Sequence, residues 1–559
     1  MKNHFFPNPF LIMGLFVVAF TGCDKHDSLL DRLWPKAYTT VERAIQADPL
    51  PGGEAPDITD PASFESKGYG KWHYGDGLPF DKKTDLMPAG YNSSLAENEE
   101  SLLSFFAFTD IHITDEESPA QAIYFRRYLG MNAVSVYAPL MLYTTQVLDA
   151  AVNTVNKIHK RHPLDFGIML GDLSNNGQHN ELRWFIDIMD GKAVHPDSGA
   201  DDDPVPGPGN DHQDPFMAVG LDPAIPWYAV VGNHDHFYIG SKPYSERLRR
   251  VLVGNQILHI GNILSDDPAE MDKETISTGS IAGNSVNCEI IGEGIVAQMT
   301  DFPTIPADQD RYAITVDDYI AEMSNTTSLP AGHGFEQANP ENRFKGCYSY
   351  IPKMGLPLKV IVLDNTQEDS DVSRIYGHGS LKNGRYEWLI KQLQTGQKEG
   401  KLMIIAAHVP IGVAFGEEVG WFDEAYERAL IKELKTYPNL ILWISGHRHL
   451  NTVKAFPSDD PAHPENSFWA VETKSLREFP QQFRVFDIVL NKDKTLSIFA
   501  TNVDPDIEDN PLAAVSRSLA LASQQIYNLM EPFPGSGPIS HNVELIIPLS
   551  PEMQKKLAK

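Results

Sequence analysis

The sequence predicts an α/β fold of sheets layered with helices. Three observations carry that expectation. Short apolar runs alternate with segments of helical periodicity, the same few polar residue types recur where the apolar runs stop, and three late apolar runs follow one another with no long helix between them.

Taken in order, residues 1–23 read as an export signal. A basic start leads into an apolar stretch, Phe10 to Phe20, that is too short to span a bilayer, then into small residues and Cys23. "FTGC" resembles the bacterial lipobox, in which the cysteine is lipidated and becomes the new N-terminus, and Asp24 resembles the residue that retains some lipoproteins at the inner membrane. A plain secretory signal with a coincidental cysteine is the alternative. Residues 24–101, rich in Pro, Gly and charge, read as a tether followed by irregular surface chain. The expected folded domain is 102–559. Its first strand is "LLSFFAFTD", followed by a helix through "MLYTTQVLDAAVNTVNKIHK" and by the strands "FGIMLGD" and "IPWYAVVGN". Between the last two lies a Pro/Asp/Gly loop, "HPDSGADDDPVPGPGNDHQDP", that cannot form regular structure. Residues 238–343 have weak pattern and read as an insertion folding over the site. "LKVIVLD", "KLMIIAAH" and "LILWISGH" then alternate with helices, while "FWAVET", "FRVFDIVL" and "TLSIFATNV" suggest a second, partly antiparallel sheet. A late helix in "PLAAVSRSLALASQQIYNLM" and a final strand in "VELIIPL" close the chain.

The 559 residues are ample for a large core, and the formal charge of −29 argues against a nucleic-acid groove, because no Lys/Arg run offsets it. Beyond Cys23 only Cys288 and Cys347 remain, which in an oxidising compartment form either a disulfide or two buried thiols. "DDDP" at Asp201 to Pro204 is either a calcium ligand set or a solvated acidic loop without the regular spacing of an EF-hand. "GHGSL" ahead of a helix is either a phosphate contact through backbone N–H groups or a tight turn. Arg311, Arg343 and Lys345 are cations of the insertion available to neutralise a substrate, with nothing to single them out.

The chemistry is concentrated at five strand ends: "FTDIH" with Asp110 and His112, "GDLSN" with Asp172 and Asn175, "GNHD" with Asn233, His234 and Asp235, "AAH" with His408, and "SGHRH" with His447 and His449. Packing gives no reason to end so many strands in Asp, Asn and His. A donor set of carboxylates, imidazoles and one amide, without sulfur, suits ions such as Mn, Fe or Zn. Its size exceeds the three protein ligands of a mononuclear catalytic zinc and is enough for two ions sharing a carboxylate, an arrangement suited to hydrolysis of phosphate esters. His236 is either a substrate contact or an exposed turn residue.

In this order the motifs resemble the signature of the calcineurin-like metallophosphoesterase superfamily, from Asp110 to His449. The resemblance implies a layered α-β-β-α sandwich with a large insertion over the active site. It implies two divalent or mixed-valence ions, one on Asp110, His112 and His449, the other on Asn233, His408 and His447, with Asp172 bridging. It also implies that His234 lies beside the phosphate as general acid or transition-state stabiliser, that Asp235 orients it, and that Asn175 hydrogen-bonds around the site without being a ligand. Asn175, Asn176 and Asp235 stand where the serine/threonine phosphatases of the superfamily carry Asp, Arg and Glu. The asparagine at 175, where purple acid phosphatases have tyrosine, argues against an iron-tyrosinate colour. The resulting expectation is an exported, lipid-anchored cell-envelope hydrolase of phosphate monoesters or diesters, the alternative being a metal-binding lipoprotein of the same fold without catalysis. Neither Gly-x-Ser-x-Gly nor Gly-x-x-x-x-Gly-Lys is present, which removes the usual serine hydrolase and P-loop ATPase signatures.

Overall fold

The computed structural model describes residues 39–50, 52–123, 138–200, 202–259, 276–286, 288–338, 346–371, 376–415, 419–420, 422–527 and 542–558. The expected leader with Cys23, together with Arg343 and Lys345, lies outside the described residues. Among the described residues no helix is long and apolar enough to cross a membrane.

Two sheets face each other. The strands are β1 (Asp81–Lys83), β2 (Asn98–Phe108), β3 (Phe166–Met169), β4 (Trp227–Ala229), β5 (Tyr348–Tyr350), β6 (Leu358–Leu363), β7 (Leu402–Ala407), β8 (Leu440–Ser445), β9 (Thr452–Phe456), β10 (Phe468–Glu472), β11 (Phe483–Asn491), β12 (Leu496–Val503) and β13 (Val543–Ile547). One sheet has seven strands in the order β1-β13-β12-β11-β2-β3-β4, the other six in the order β5-β6-β7-β8-β10-β9. Within the first, β2, β3 and β4 run parallel; within the second, β6, β7, β8 and β10 do. These parallel strands are buried on both faces, so they read as continuous apolar runs rather than alternating ones.

Aromatic rings fill the space between the sheets. Tyr228 stacks on Tyr350 with centroids 3.6 Å apart, and Trp469 Nε1 donates across the gap to Ile546 O at 3.1 Å. Helices cover the outer faces. On the six-stranded sheet, α3 (Arg385–Lys398) and α4 (Glu424–Leu434) lay Trp388, Leu389, Leu393, Leu430 and Leu434 against Ile361, Met403, Ile405 and Trp443. On the seven-stranded side, α1 (Thr144–His159) buries Leu148, Ala151, Val152, Val155 and Ile158 at helical spacing. There α2 (His179–Asp190) sets Phe185 edge-on to Trp227 at 5.8 Å and ends on Gly191 in the left-handed region. Then α5 (Pro511–Ile526) starts on Asn510, which accepts from Ala513 N, with Pro511 in the first turn. The layered α-β-β-α order expected from the resemblance is the one found.

Two sequence expectations change. "FRVFDIVL" and "TLSIFATNV" do not join "FWAVET" in one sheet: β10 belongs to the second sheet, whereas β11 returns to pair antiparallel with β2, Arg484 opposite Ala107. That pairing joins residues nearly 400 positions apart, and local pattern carries no trace of it. Residues 39–97, expected to be irregular, contribute a strand pair, Arg43–Ala47 with Trp72–Asp76, and β1 at a sheet edge. Ile45 and Trp72 pack against Ala520 and Leu521 of α5, and that burial orders a stretch whose composition reads as loop. Cys288 and Cys347 are buried in separate apolar clusters, and no bond joins them.

Candidate metal centre

Parallel strands present their carboxyl ends along one edge, where open α/β sheets place ligands. Here both sheets do so side by side. Asp110 and His112 follow β2, Asp172 follows β3, Asn233 follows β4, His408 follows β7, and His447 and His449 follow β8. Backbone bonds knit the loops together: Asp110 N donates to Gly171 O at 3.1 Å, His112 N to Asp172 O at 3.0 Å, and Gly446 N to His408 O at 3.1 Å. The turns are tight enough that Asp110, His112, Asp172, His447 and His449 all have φ between 50° and 80°. Asp and His tolerate that left-handed region better than most residues, yet its cost marks positions held by their surroundings. Close approach also explains the glycine of "GN": a Cβ on Gly232 would run into the backbone N and carboxylate of Asp172.

The structure brings all seven expected ligands together, and all are buried or nearly so. Asp110, His112 and His449 form one group, Asp172, His408 and His447 another, each with donor atoms within 4.8 Å of one another. His112 Nε2 stands 3.1 Å from His449 Nε2, and His449 Nε2 stands 3.3 Å from Asp110 Oδ1. In the second group His408 Nε2 is 3.2 Å from Asp172 Oδ2 and 3.2 Å from His447 Nδ1, and Asn233 Oδ1 lies 2.9 and 3.0 Å from those two nitrogens. Asp172 Oδ2 also lies 3.9 Å from His112 Nε2, which puts one carboxylate between the groups.

Two tests of fit agree. Ligands bonded to one ion at about 2.0–2.2 Å stand roughly 3–3.5 Å apart at tetrahedral or octahedral angles, which is the spacing seen here. Electrostatically, burial alone would lower both His408 and His449, but Asp172 lifts the first to about 9, while Glu478 and Asp110 lift the second to about 10. The carboxylates thus call for positive charge at the places where ions would sit. Orientation is built in: His408 Nδ1 faces Leu170 O at 2.8 Å and His449 Nδ1 faces Glu478 Oε2 at 2.7 Å, so each directs Nε2 inward.

His234 lies outside the two ligand sets named above, although with His112 and Asp172 it forms a third group whose donor atoms lie within 4.8 Å of one another. Its backbone N donates to Asp172 Oδ1 at 2.8 Å, and its ring meets that of His112 edge-on at 4.5 Å. Its Nδ1 donates to Asn175 O at 2.6 Å, and burial holds the imidazole below its usual pKa. The expected orienting role of Asp235 is corrected by these contacts. The Asp235 carboxylate accepts backbone N–H bonds from Gly232, Asp172, Leu173 and Ser174 at 2.9, 3.0, 2.8 and 3.1 Å, so it fastens the Asp172 loop to the "GNHD" turn and leaves the imidazole to Asn175.

Other residues enter that sequence reasoning passed over. Arg477, fully buried, donates through Nη1 to Asn175 Oδ1, and its charge acts on His112 and His234. Ser475 Oγ donates to Asp110 O at 2.7 Å. Together with Glu478 they lie in "KSLRE", just past β10, so a sixth polar strand end was the available signal. The "GHGSL" turn reaches the centre: a Cβ on Gly377 would stand 3.9 Å from His447 Cε1 and Asn233 Nδ2. His236 is buried rather than exposed, 3.1 Å from Thr366 Oγ1, and burial followed by the Arg385 charge pushes it down to about 3. Beside it opens a cavity of about 230 Å³ lined by Tyr244, Arg249, Thr315, Gln367 and Asp369. From the stretch expected to be an insertion come Ile239, whose N donates to Asn176 Oδ1 at 2.9 Å, and Tyr319, whose hydroxyl donates to Val230 O at 3.0 Å. Arg311 of the same stretch is buried against Asp115, away from a substrate-neutralising position.

Comparison with known proteins adds three findings. No curated protein matches the sequence. Among solved structures, a dimetal phosphatase from Danio rerio is 11% identical, covering 73% of this chain and all of that one at a TM-score of 0.37. A protein described as a 5′-nucleotidase from Staphylococcus aureus, solved with alpha-ketoglutarate, is 10% identical, covering 75% of this chain and 58% of that one at a TM-score of 0.30. Residues 103–293 match the family model of calcineurin-like phosphoesterases, a stretch that holds Asp110, His112, Asp172, Asn233, His234 and Asp235 but not His408, His447 or His449. Over residues 103–293 the chain is therefore similar to the calcineurin-like phosphoesterases.

Proposed function

We propose that this protein is a two-metal hydrolase of phosphate monoesters or diesters, exported and held at the cell envelope by a lipid on Cys23. The observation that carries the catalytic part is the pair of ligand groups meeting at Asp172, with Oδ2 3.2 Å from His408 and 3.9 Å from His112. Asp110, His112 and His449 would hold one ion, Asn233, His408 and His447 the other, and Asp172 both. Two such ions, of Mn, Fe or Zn type, supply Lewis acidity at the phosphoryl oxygens and a nucleophile near neutral pH.

The chain's own groups do the rest. With Nδ1–H tied to Asn175 O, His234 offers Nε2 to the leaving oxygen. A phosphoryl anion beside the ring offsets the depression that burial imposes, so the imidazole takes up the proton it then donates. Arg477, steadied by Asn175, adds fixed positive charge on the same side. The insertion 238–343 is read as the wall that selects the alcohol.

The test is hydrolysis of p-nitrophenyl and bis-p-nitrophenyl phosphate by the purified chain. Chelator should abolish turnover, and Mn, Fe or Zn should restore it. Protein carrying two ions per chain yet inert on every ester tried would favour the non-catalytic metal-binding reading instead. Export is tested separately by labelled fatty-acid incorporation in cells, which Cys23→Ala should abolish.

A further inference from the structure

We propose that Glu117, Asp197 and Asp202 form a calcium site, separate from the phosphoesterase centre, that pins the loop after β2 to the proline-rich loop between Val194 and Phe216. One carboxylate oxygen of each lies within 4.8 Å of the others. The second observation is the state of Glu117: it is fully buried, and neither of its oxygens has a hydrogen-bond donor. Arg311 Nη2 stands 3.7 Å away, beyond hydrogen-bond reach, because that guanidinium is occupied by Asp115 Oδ2 at 2.9 Å, Ser198 O at 3.1 Å and Pro306 O at 2.7 Å. A third segment closes the cradle at Gly283, where a Cβ would run into Glu117 Oε1 and the Asp202 carboxylate.

A buried carboxylate with no donor is costly unless a cation meets it. Burial, and then the charges of Asp115 and Asp202, push Glu117 up to about 9 despite the opposing pull of Arg311, so that one shared guanidinium leaves three clustered carboxylates short of positive charge. The donors are all carboxylate oxygens, the set calcium accepts, with carbonyls and waters free to complete its six to eight ligands; the imidazole-rich centre suits a different class of ion. The neighbouring group, Asp203, Asp211 and Asp214, does not qualify. Its oxygens accept backbone N–H bonds from Val205, Asn210, Asp211 and Gln213, which order the loop without an ion. The "DDDP" run is therefore divided, Asp202 to the cation and Asp203 to its own loop. Asp115 to Glu117 follow His112 closely, so an ion here stiffens the loop that carries a ligand of the metal centre.

The experiment uses the full chain with its metal centre loaded with Mn²⁺. Calcium titration should show one further ion bound per chain by calorimetry, and saturating calcium should raise Tm by at least about 2 °C. Glu117→Gln should weaken calcium binding at least ten-fold and remove the Tm response, while Asp172→Asn, which disturbs the metal centre, should keep both. If Glu117→Gln does not fold, Asp202→Asn, at a partly exposed position, serves in its place. The proposal is overturned if Mn-loaded wild type binds no calcium, if both carboxamide variants bind it like wild type, or if binding is lost in Asp172→Asn and retained in Glu117→Gln.

Discussion

Asp235 sits fully buried with four backbone N–H groups on its two oxygens, from Gly232, Asp172, Leu173 and Ser174. Each hydrogen bond to a charged acceptor contributes about 1.5 kcal/mol at the low end, so the gross contribution is about 6 kcal/mol. Burial and the Asp172 charge oppose the carboxylate, pushing it up to about 7, and return part of that sum when it is removed. Asp235→Asn, which keeps one acceptor oxygen but turns an NH₂ group toward two N–H donors, should therefore destabilise the chelator-treated protein by about 2–3 kcal/mol. The amides released belong to the Asp172 loop, so bound metal should fall below two ions per chain, and activity should fall with it. Urea unfolding of the metal-free protein, elemental analysis of the loaded protein and the pH profile of kcat read these effects separately. A variant as stable as wild type within about 0.5 kcal/mol, with full metal content and a hundred-fold loss of kcat, would refute the reasoning and return Asp235 to a role on the His234 ring.

Four further outcomes follow from particular contacts. His234→Ala should lower kcat by at least about a hundred-fold while leaving two ions bound, since its Nδ1 is taken by Asn175 O; loss of metal in that variant would show that its place beside His112 and Asp172 makes it a ligand. Glu478→Gln weakens the acceptor on His449 Nδ1, and metal affinity measured by chelator competition should drop about 10- to 100-fold. Gly232→Ala forces a Cβ into the Asp172 backbone, so expressed protein should bind less metal and unfold at lower urea, and a wild-type profile would contradict the close approach. Burial lowers Lys359 on β6 from 10.5 to about 8. Between those values the unfolded chain binds a proton that the folded chain does not, so this contribution to stability rises with pH across about 8 to 10.5 and is lost as pH falls through 8. The difference between wild type and Lys359→Met, followed by urea unfolding, should show that slope.

The alternation of apolar runs with helical stretches was enough to place β2, β3, β4, β6, β7 and β8, because parallel strands buried on both faces must be apolar throughout. The same local logic picked out the residues that the fold gathers into the candidate metal centre. An Asp, Asn or His at the carboxyl end of such a strand has little packing reason to be there, and Asp110, His112, Asp172, Asn233, His408, His447 and His449 all lie at such ends. His234 was visible through its place in "GNHD".

What the sequence left open depends on pairings between distant residues. The return of β11 to β2, the ordering of residues 39–97 on α5, and the convergence of two sheet edges are long-range events, stabilised by burial that no local window contains. Roles within the site behave likewise. Whether a carboxylate such as Asp235 holds a ring or a loop depends on which donors the fold delivers to it, and here they are backbone amides. Composition allowed Glu117, Asp197 and Asp202 to be ordinary solvated acids, and only folding could bury one and bring the others to it. Residue types thus determined which chemistry was available to this chain, and tertiary structure decided which side chains share it, because desolvation and distance are properties of the packed molecule.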